Sequence, residues 1–313
     1  MIDSDNQPII WGAGLSGLIA ARMLADRSPC IYEAQASLPN NHGALLRFRE
    51  DEVSRVTNIP FSRVKVIKDV FAPINKASDA ARYSLKVTGG YANRSIQDLE
   101  PVQRYIAPDD FIERLSRTAD ISYGMDFLGW SSNLIRNKRP ILSTIPMPYM
   151  MKLFKWPNPP AFSYVEGWTI KARVSDDVPC DLNVTLYFPG DEPFYRASIT
   201  GRRIMIEGLG SAHDIEGQVG HVARLACSAL GIRVDHITSV TVKPAKYQKI
   251  ADLPFSERES AKRFVMWLSN EHNIHSLGRF ATWRPKLLLD DIPNDVRIIT
   301  QLIDGRAKYE AAQ

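Results

Sequence analysis

The chain has only three cysteines in 313 residues, Cys30, Cys180 and Cys227, spaced far apart along it. That spacing excludes a disulfide framework and a cysteine-based metal cluster, and it makes the cytoplasm the expected compartment. No apolar run approaches the ~20 residues needed to cross a bilayer, so no membrane partner is expected. The polar, acidic start MIDSDNQ lacks the basic and apolar stretches of a secretory signal. The histidines are too scattered for a metal centre: His213 and His221 lie eight apart, and His272 and His275, three apart, have no further ligand nearby. No G-x-S-x-G element and no Cys/His pairing points to covalent hydrolysis. Runs of five or more like charges are missing too. The net charge of +4 therefore reads as a slight Lys/Arg excess on a soluble surface, compatible with anionic ligands such as sugar nucleotides or nucleic acid.

What is present is the composition of an ordinary globular protein, 44% apolar and 24% charged, long enough for one large domain or two modest ones. The stretch PIIWGAGLSGLIAARMLADRSPCIYEAQA, residues 8–36, carries the strongest signal. PIIW is too uniformly apolar to alternate and predicts a short buried strand. Gly12-Ala13-Gly14-Leu15-Ser16-Gly17 follows as G-x-G-x-x-G, and a helix over 15–26 has Leu18, Ile19, Met23 and Leu24 on a helical period. A second strand then ends at Glu33. Each glycine has a physical task. Gly12 permits the tight turn, Gly14 lets a pyrophosphate approach the backbone, and Gly17 lets helix and strand pack closely. Leu15 and Ser16 open the helix, whose free N–H groups and dipole face the phosphates. Glu33 can accept both ribose hydroxyls. The strand, the helix and the spacing of the acid are the context this motif requires; by itself it leaves NAD and FAD open.

Further on, residues 108–118 predict a helix capped by Asp109 or Asp110, and RPILSTIPMPYMMKLF a buried strand, a turn and an amphipathic segment. Between about 160 and 208 the pattern becomes β-rich, with FSYVEGWTIKARV, CDLNVTLYF and FYRASITGRRIMIEGL bounded by Pro, Gly or Asp. This predicts an antiparallel meander inserted into a nucleotide-binding α/β domain. A helix closed by Gly231 and another strand region follow. Near the end, NIHSLGRFATW places Gly278-Arg279 at a strand end, and DDIPNDVRIITQLIDG starts a helix with Asp290 or Asp291 as cap and Pro293 in its first turn. A nicotinamide dinucleotide needs no such far-end element, whereas a flavin does, because its ring extends far from the pyrophosphate.

The motifs GAGLSG with Glu33, STIPMP and GRFATW together resemble the flavoproteins with two dinucleotide-binding motifs, and in their order UDP-galactopyranose mutase and its amine-oxidase-like relatives. The resemblance implies an α/β fold: a Rossmann-like FAD-binding domain of the glutathione-reductase type with an inserted antiparallel β-rich substrate domain. The expected division is 1–155 for the FAD-binding domain with a helical insert, 156–210 for the β cap, and 211–313 for the return to the FAD-binding domain. It implies FAD as cofactor, with Gly12, Gly14 and Gly17 on the pyrophosphate, Glu33 on the adenosine ribose, and Gly278-Arg279 beside the flavin and its phosphates. The segment HGALLRF, His42 to Phe48, falls where the family runs a loop past the flavin, which assigns Gly43 and Ala44 to the cofactor and His42 to its reactive face. Trp283 is the expected wall of the substrate pocket, and Tyr195 and Arg196 lie where a substrate domain would cover the flavin, with Arg196 suited to a carboxylate or phosphate. The chain departs from the mutases after the second-strand acid, where it reads Leu38-Pro39-Asn40-Asn41-His42-Gly43, and after the C-terminal Gly-Arg, where Trp283-Arg284-Pro285 replaces their tyrosines and acid.

NNHGALLRFR, STIPMP and SLGRFATWRP also resemble small bacteriophage flavoproteins, among them FAD-dependent lyases of thymidine hypermodification, which implies a modified thymine in DNA as substrate and a host cytoplasm as location. Three readings follow. The first is an FAD-dependent oxidoreductase or lyase acting at a C–N bond of an amine or amino-acid-like group, either free or carried on modified DNA. The second is a mutase-like isomerase, and the third a non-catalytic flavin- or DNA-binding module.

Overall fold

A computed structural model of the chain describes residues 7–39, 45–91, 96, 99–127 and 139–311, with the side chains of 246–248 and 310–311 outside that description. The strand PIIW is realised as β1 (Ile9–Trp11), followed by α1 (Leu15–Met23) and β2 (Cys30–Glu33). With β6 (Asp120–Tyr123), β7 (Ile141–Ser143) and β13 (Ile274–Ser276) they form a five-stranded sheet in the order β6-β2-β1-β7-β13. Every pairing in it is parallel. β1 is apolar throughout because both its faces are covered. Ile10 enters a core with Leu18 and Ile19 of α1 and Val296 and Ile299 of α8 (Ile292–Ala311). Ile9 and Trp11 enter another, with Met150 of α5 (Met147–Leu153) and Phe264 and Leu268 of α7 (Phe255–His272). Burial on both faces is the usual condition of a parallel strand.

The second sheet has eight strands. The predicted β-rich stretch supplies β8 (Tyr164–Val174), β9 (Asn183–Tyr187), β10 (Phe194–Thr200) and β11 (Arg203–Leu209). The sheet also takes in β3 (Arg47–Phe48), β4 (Ser62–Val70), β5 (Val102–Ile106) and β12 (Ile237–Ile250), in the order β12-β8-β11-β10-β9-β4-β5-β3. It thus draws on chain before and after 156–210, and one of its pairs, β4 with β9, is parallel. Along β8, Trp168, Ile170, Ala172 and Val174 pack into a core with Val222, Ala223 and Ala226 of α6 (Val219–Ala229). The intervening Thr169, Lys171 and Arg173 consequently stand on the opposite, polar face.

The remaining described α-helices are α2 (Glu52–Thr57), α3 (Lys76–Thr88) and α4 (Phe111–Ser116). At the start of α8, Asp291 accepts a hydrogen bond from Leu288 N (2.8 Å), while Asp290 instead accepts from Arg49 N (2.6 Å) and so ties the segment after β3 to the C-terminal unit. Among the described residues, no helix is long and apolar enough to cross a membrane.

His275 in β13 is buried, with Nε2 3.1 Å from Asn273 Oδ1 and Nδ1 3.1 Å from Ser269 Oγ. Both ring nitrogens are satisfied by the neutral imidazole. Burial, and then the nearby Arg306, push its pKa down to about 4. The unfolded chain therefore takes up the proton first as pH falls, and stability drops between about pH 6.5 and 4, by about 3 kcal/mol at most. Denaturant unfolding at stepped pH should show this loss, and His275→Gln should flatten that part of the profile. An unchanged profile would refute the assignment.

Candidate functional site

The loop between β1 and α1 is shaped by close approaches. Gly12 has φ +102, and a Cβ there would stand 2.1 Å from Thr144 Oγ1; a Cβ on Gly17 would stand 2.0 Å from Gly12 O. Thr144 follows β7 in the STIPMP segment, and its hydroxyl donates to Trp11 O (2.9 Å). Around Gly14, by contrast, nothing lies within 4 Å of where a Cβ would be. Gly278, at φ +91 just after β13, packs so closely on Ser16 that a Cβ would come within 2.8 Å of its Oγ. The two ends of the chain therefore meet at the N-terminus of α1. Glu33 stands beside them, its carboxylate accepting from Ala13 N (2.7 Å) and Gln35 N (2.9 Å).

From this point a cleft of about 700 Å³ opens. Gly14, Leu15, Ser16, Thr144, Gly278 and Arg279 line one end, and Thr169, Arg196, Glu207, Lys243 and Lys249, from the polar face of the eight-stranded sheet, line the other. Leu45, Leu46, Leu277, Leu287 and Leu289 supply apolar walls. A cavity of this size, largely apolar with a few convergent polar groups, is the usual form of a ligand site.

The charges at the sheet end are organised by a bulge in β10. Phe194 pairs with Gly208 and Arg196 with Glu207, so Tyr195 is the extra residue. Consecutive side chains of a regular strand diverge, whereas a bulge re-aims them. Here Tyr195 and Arg196 both reach Glu207. Arg196 Nε lies 2.5 Å from Oε2 and Nη2 2.6 Å from Oε1, and Tyr195 Oη donates to Oε1 at 3.2 Å. Burial opposes both charges, yet Glu207 holds the Arg196 guanidinium well above its usual value, and Arg196 holds Glu207 below the usual carboxylate range. Lys249 Nζ stands 4.6 Å from the centre of the Tyr195 ring. Arg47 of β3 runs from the cleft into the sheet, donating to Thr200 Oγ1 (2.7 Å), Thr185 Oγ1 and the carbonyls of Val184 and Ile199. Burial, and then Arg196, pull its pKa down to about 10. Arg279 is the exception: its Nε is buried with no hydrogen-bond partner among the described residues.

No protein-family model matches the sequence, and no curated protein matches it in sequence. Solved structures do match. The chain superposes on a reduced UDP-galactopyranose mutase over 96% of both chains, with a TM-score of 0.67 and 15% identity. The chain has the fold of UDP-galactopyranose mutase. A CLA-producing fatty acid isomerase from P. acnes shares it at a TM-score of 0.57 and 12% identity, over 96% of this chain and 99% of that one. A flavoprotein/dehydrogenase from Cytophaga hutchinsonii does so at 0.52 and 13%, over 96% and 79%.

On the mutase fold, the sequence-predicted residues separate clearly. Gly14, Leu15, Ser16, Gly278, Arg279 and Arg196 line one cleft, with Gly12, Gly17 and Glu33 immediately behind its glycine end. Tyr195 lies beneath the floor, 1% exposed, and acts on the cleft through Glu207. Trp283 does not wall the pocket. It is 4% exposed, packs edge-on against Phe162 (4.7 Å between ring centres) and donates its indole N–H to Ala251 O (3.2 Å). A large apolar ring with one donor is best satisfied in that way, inside a core with a single acceptor. His42, Gly43 and Ala44 lie outside the described residues.

Arg47, Thr144, Thr169, Glu207, Lys243 and Lys249 also line the cleft but were not among the site candidates read from the sequence. Glu207 had a signal, as a lone acid in the apolar strand RRIMIEGL, and Arg47 had one in LLRF. The lysines of β12 had none, since they look like any solvated strand. Among the described residues, no cluster of three or more His, Cys, Asp or Glu is arranged to hold a metal.

Proposed function

We propose that the chain is an FAD-dependent enzyme acting at a C–N bond of an amino-acid-like group, borne by a modified thymine in DNA. The observation that carries this reading is the cleft itself. One end is a glycine cradle with an unspent buried donor, and the other is a floor with an excess of positive charge.

The residues fit the dinucleotide. The space at Gly14 and the open N-terminus of α1 suit a pyrophosphate, Glu33 keeps lone pairs for ribose hydroxyls, and Arg279 Nε, without a partner among the described residues, suits an oxygen or ring nitrogen of the cofactor. FAD supplies a two-electron acceptor when bound. The protein supplies position and protonation state. Arg196, held by Glu207, and the cations Lys243 and Lys249 present a charged floor that suits a carboxylate. The leucine walls disfavour an ammonium ion and so favour the neutral amine, the form able to lose hydride. The described lining of the cleft includes no tyrosine, which weighs against a sugar-nucleotide mutase, whose diphosphate would be held by a tyrosine pair.

The test is the absorbance spectrum, taken before and after anaerobic addition of an amino-acid-modified thymidine or an oligonucleotide containing it. The expected result is a yellow protein with bands near ~450 nm that bleach on addition. Bleaching only by a chemical reductant, with UDP-galactose then perturbing the spectrum, would replace this reading with an isomerase. A protein that neither carries nor takes up FAD would end it.

A further inference from the structure

The polar face of the eight-stranded sheet does not stop at the cleft. Strand register arranges its cations in successive rows. Lys243 pairs with Thr169, and Thr169 with Glu207, which faces Arg196; this first row is the cleft floor. Two residues along β8 comes Lys171, paired with Met205 and Thr241, in a row that runs on through Ser198 and Thr185 to Lys68 of β4. Two further along comes Arg173, paired with Arg203. That third row lines a second cavity of about 320 Å³, together with Ser62, Thr200 and Arg202.

The charge balance along this path is positive. Glu207 is taken by Arg196. Asp109 lies 2.9 Å from Arg203 and 3.7 Å from Arg173, so two guanidiniums share it. Asp181 lines the second cavity with Asp109, and Asp176 lies 3.1 Å from Arg173 and 3.8 Å from Arg202, so the excess of positive charge is concentrated in the first two rows. Lys171 is half-buried between cations. After burial itself, Lys243 and Arg203 push its ammonium below the usual lysine value. Like charges kept this close on a built face are the arrangement a bound polyanion relieves. Their spacing is also informative, because alternate residues of a strand are about 6.8 Å apart, close to the separation of successive phosphates in an extended nucleic-acid strand. A duplex is too wide for a path that begins and ends in concave pockets. A single strand, or one base drawn out of a duplex, is not.

We propose that a single DNA strand lies across this face with one phosphate at each row, at Lys243 in the first while Arg196 keeps the substrate carboxylate, its reacting nucleotide in the cleft and a nucleotide two steps along seated in the second cavity. This rests on the reading that the substrate is carried on DNA, and it adds the path of the strand and a second recognition site.

The experiment is fluorescence anisotropy of the flavin-loaded protein with 5′-fluorescein oligothymidylates of one, three and six nucleotides, over a range of salt. Three nucleotides should bind more tightly than one, and six little more tightly than three. The log–log salt slope should be about −2 for three contacts, at about 0.7 per phosphate. Lys171→Met and Arg203→Met should each flatten the slope by about 0.7 and weaken binding roughly five- to tenfold. Lys262→Met, on α7, should do neither. Flavin absorbance and thermal melting report whether each variant is folded, and Lys243→Met at the exposed sheet edge gives a second probe of the first row. Wild-type affinity and slope in Lys171→Met and Arg203→Met, or a mononucleotide bound as tightly as the trimer, would overturn the path. These oligomers carry no reacting group, so the two readings fail separately. Strand binding without bleaching by modified DNA removes the proposed reaction, and bleaching by the free nucleoside without strand binding removes the path.

Discussion

Gly12→Ala should give a nearly colourless protein. The position combines two constraints that alanine cannot meet together. Its φ of +102 is one that L side chains rarely adopt, and the new methyl would lie 2.1 Å from Thr144 Oγ1, whose hydroxyl is committed to Trp11 O. Backbone strain alone costs about 1–3 kcal/mol, and relieving the clash means moving β1 or the segment after β7. Either shift displaces the N-terminus of α1 from Gly278, where both halves of the proposed cofactor site meet. A loss of about 2–3 kcal/mol in binding corresponds to FAD affinity falling about 10²-fold. The flavin content of purified protein, and titration of FAD into the apo-protein, measure it directly. Gly14→Ala is the internal control. Its Cβ enters open space, so the fold should survive and any loss should appear in cofactor affinity alone. If Gly12→Ala kept full flavin content, the cradle would have no part in cofactor binding.

Glu207→Gln should unsettle the sheet more than its chemistry suggests. The carboxylate accepts two hydrogen bonds from Arg196 and one from Tyr195. A neutral amide would leave Arg196 facing Arg47 and Lys249 without a counter-charge. Breaking a buried ion pair typically costs 3–5 kcal/mol, but the Arg196 side chain is 35% exposed, so solvent screening reduces the expected loss to about 2–3 kcal/mol. Melting should begin several degrees lower. Replacing both partners by methionine removes the orphaned charge, so Arg196→Met with Glu207→Met should recover much of the stability while leaving substrate-dependent bleaching lost. That split between fold and function identifies a pair kept for its charge. A single mutant as stable as the parent, or a double mutant less stable than the single, would refute this account.

The parts of the site that were legible in the sequence are those in which the backbone itself does the work. Gly12, Gly17 and Gly278 sit where no side chain fits, and a requirement of that kind leaves a mark in sequence. Glu33 was legible from its distance to the glycines. Trp283 was not, because a tryptophan serves a pocket wall and a core equally well and only tertiary packing decides. Glu207, Lys243 and Lys249 come together through antiparallel register and a bulge, and the residues that set that register lie on other strands. The same holds for the second sheet. Its β8–β11 meander was visible as local alternation, but the parallel β4–β9 pair and the return of β12 join distant segments that carry no local signal of each other.

The contact between Ser16 and Gly278 also has a consequence in time. The glycine loop leaves the ribosome well before its partner Gly278, and before β13, which lies at one edge of the parallel sheet, and α8, which packs on α1. At about 5–20 residues per second, the nascent chain spends many seconds with a nucleotide cradle built on one side only. Long-range closure of this kind is slow by its topology. The cradle is therefore complete only once Gly278 has been made and packed on Ser16, and a chain stalled before that point lacks half of the proposed cofactor site.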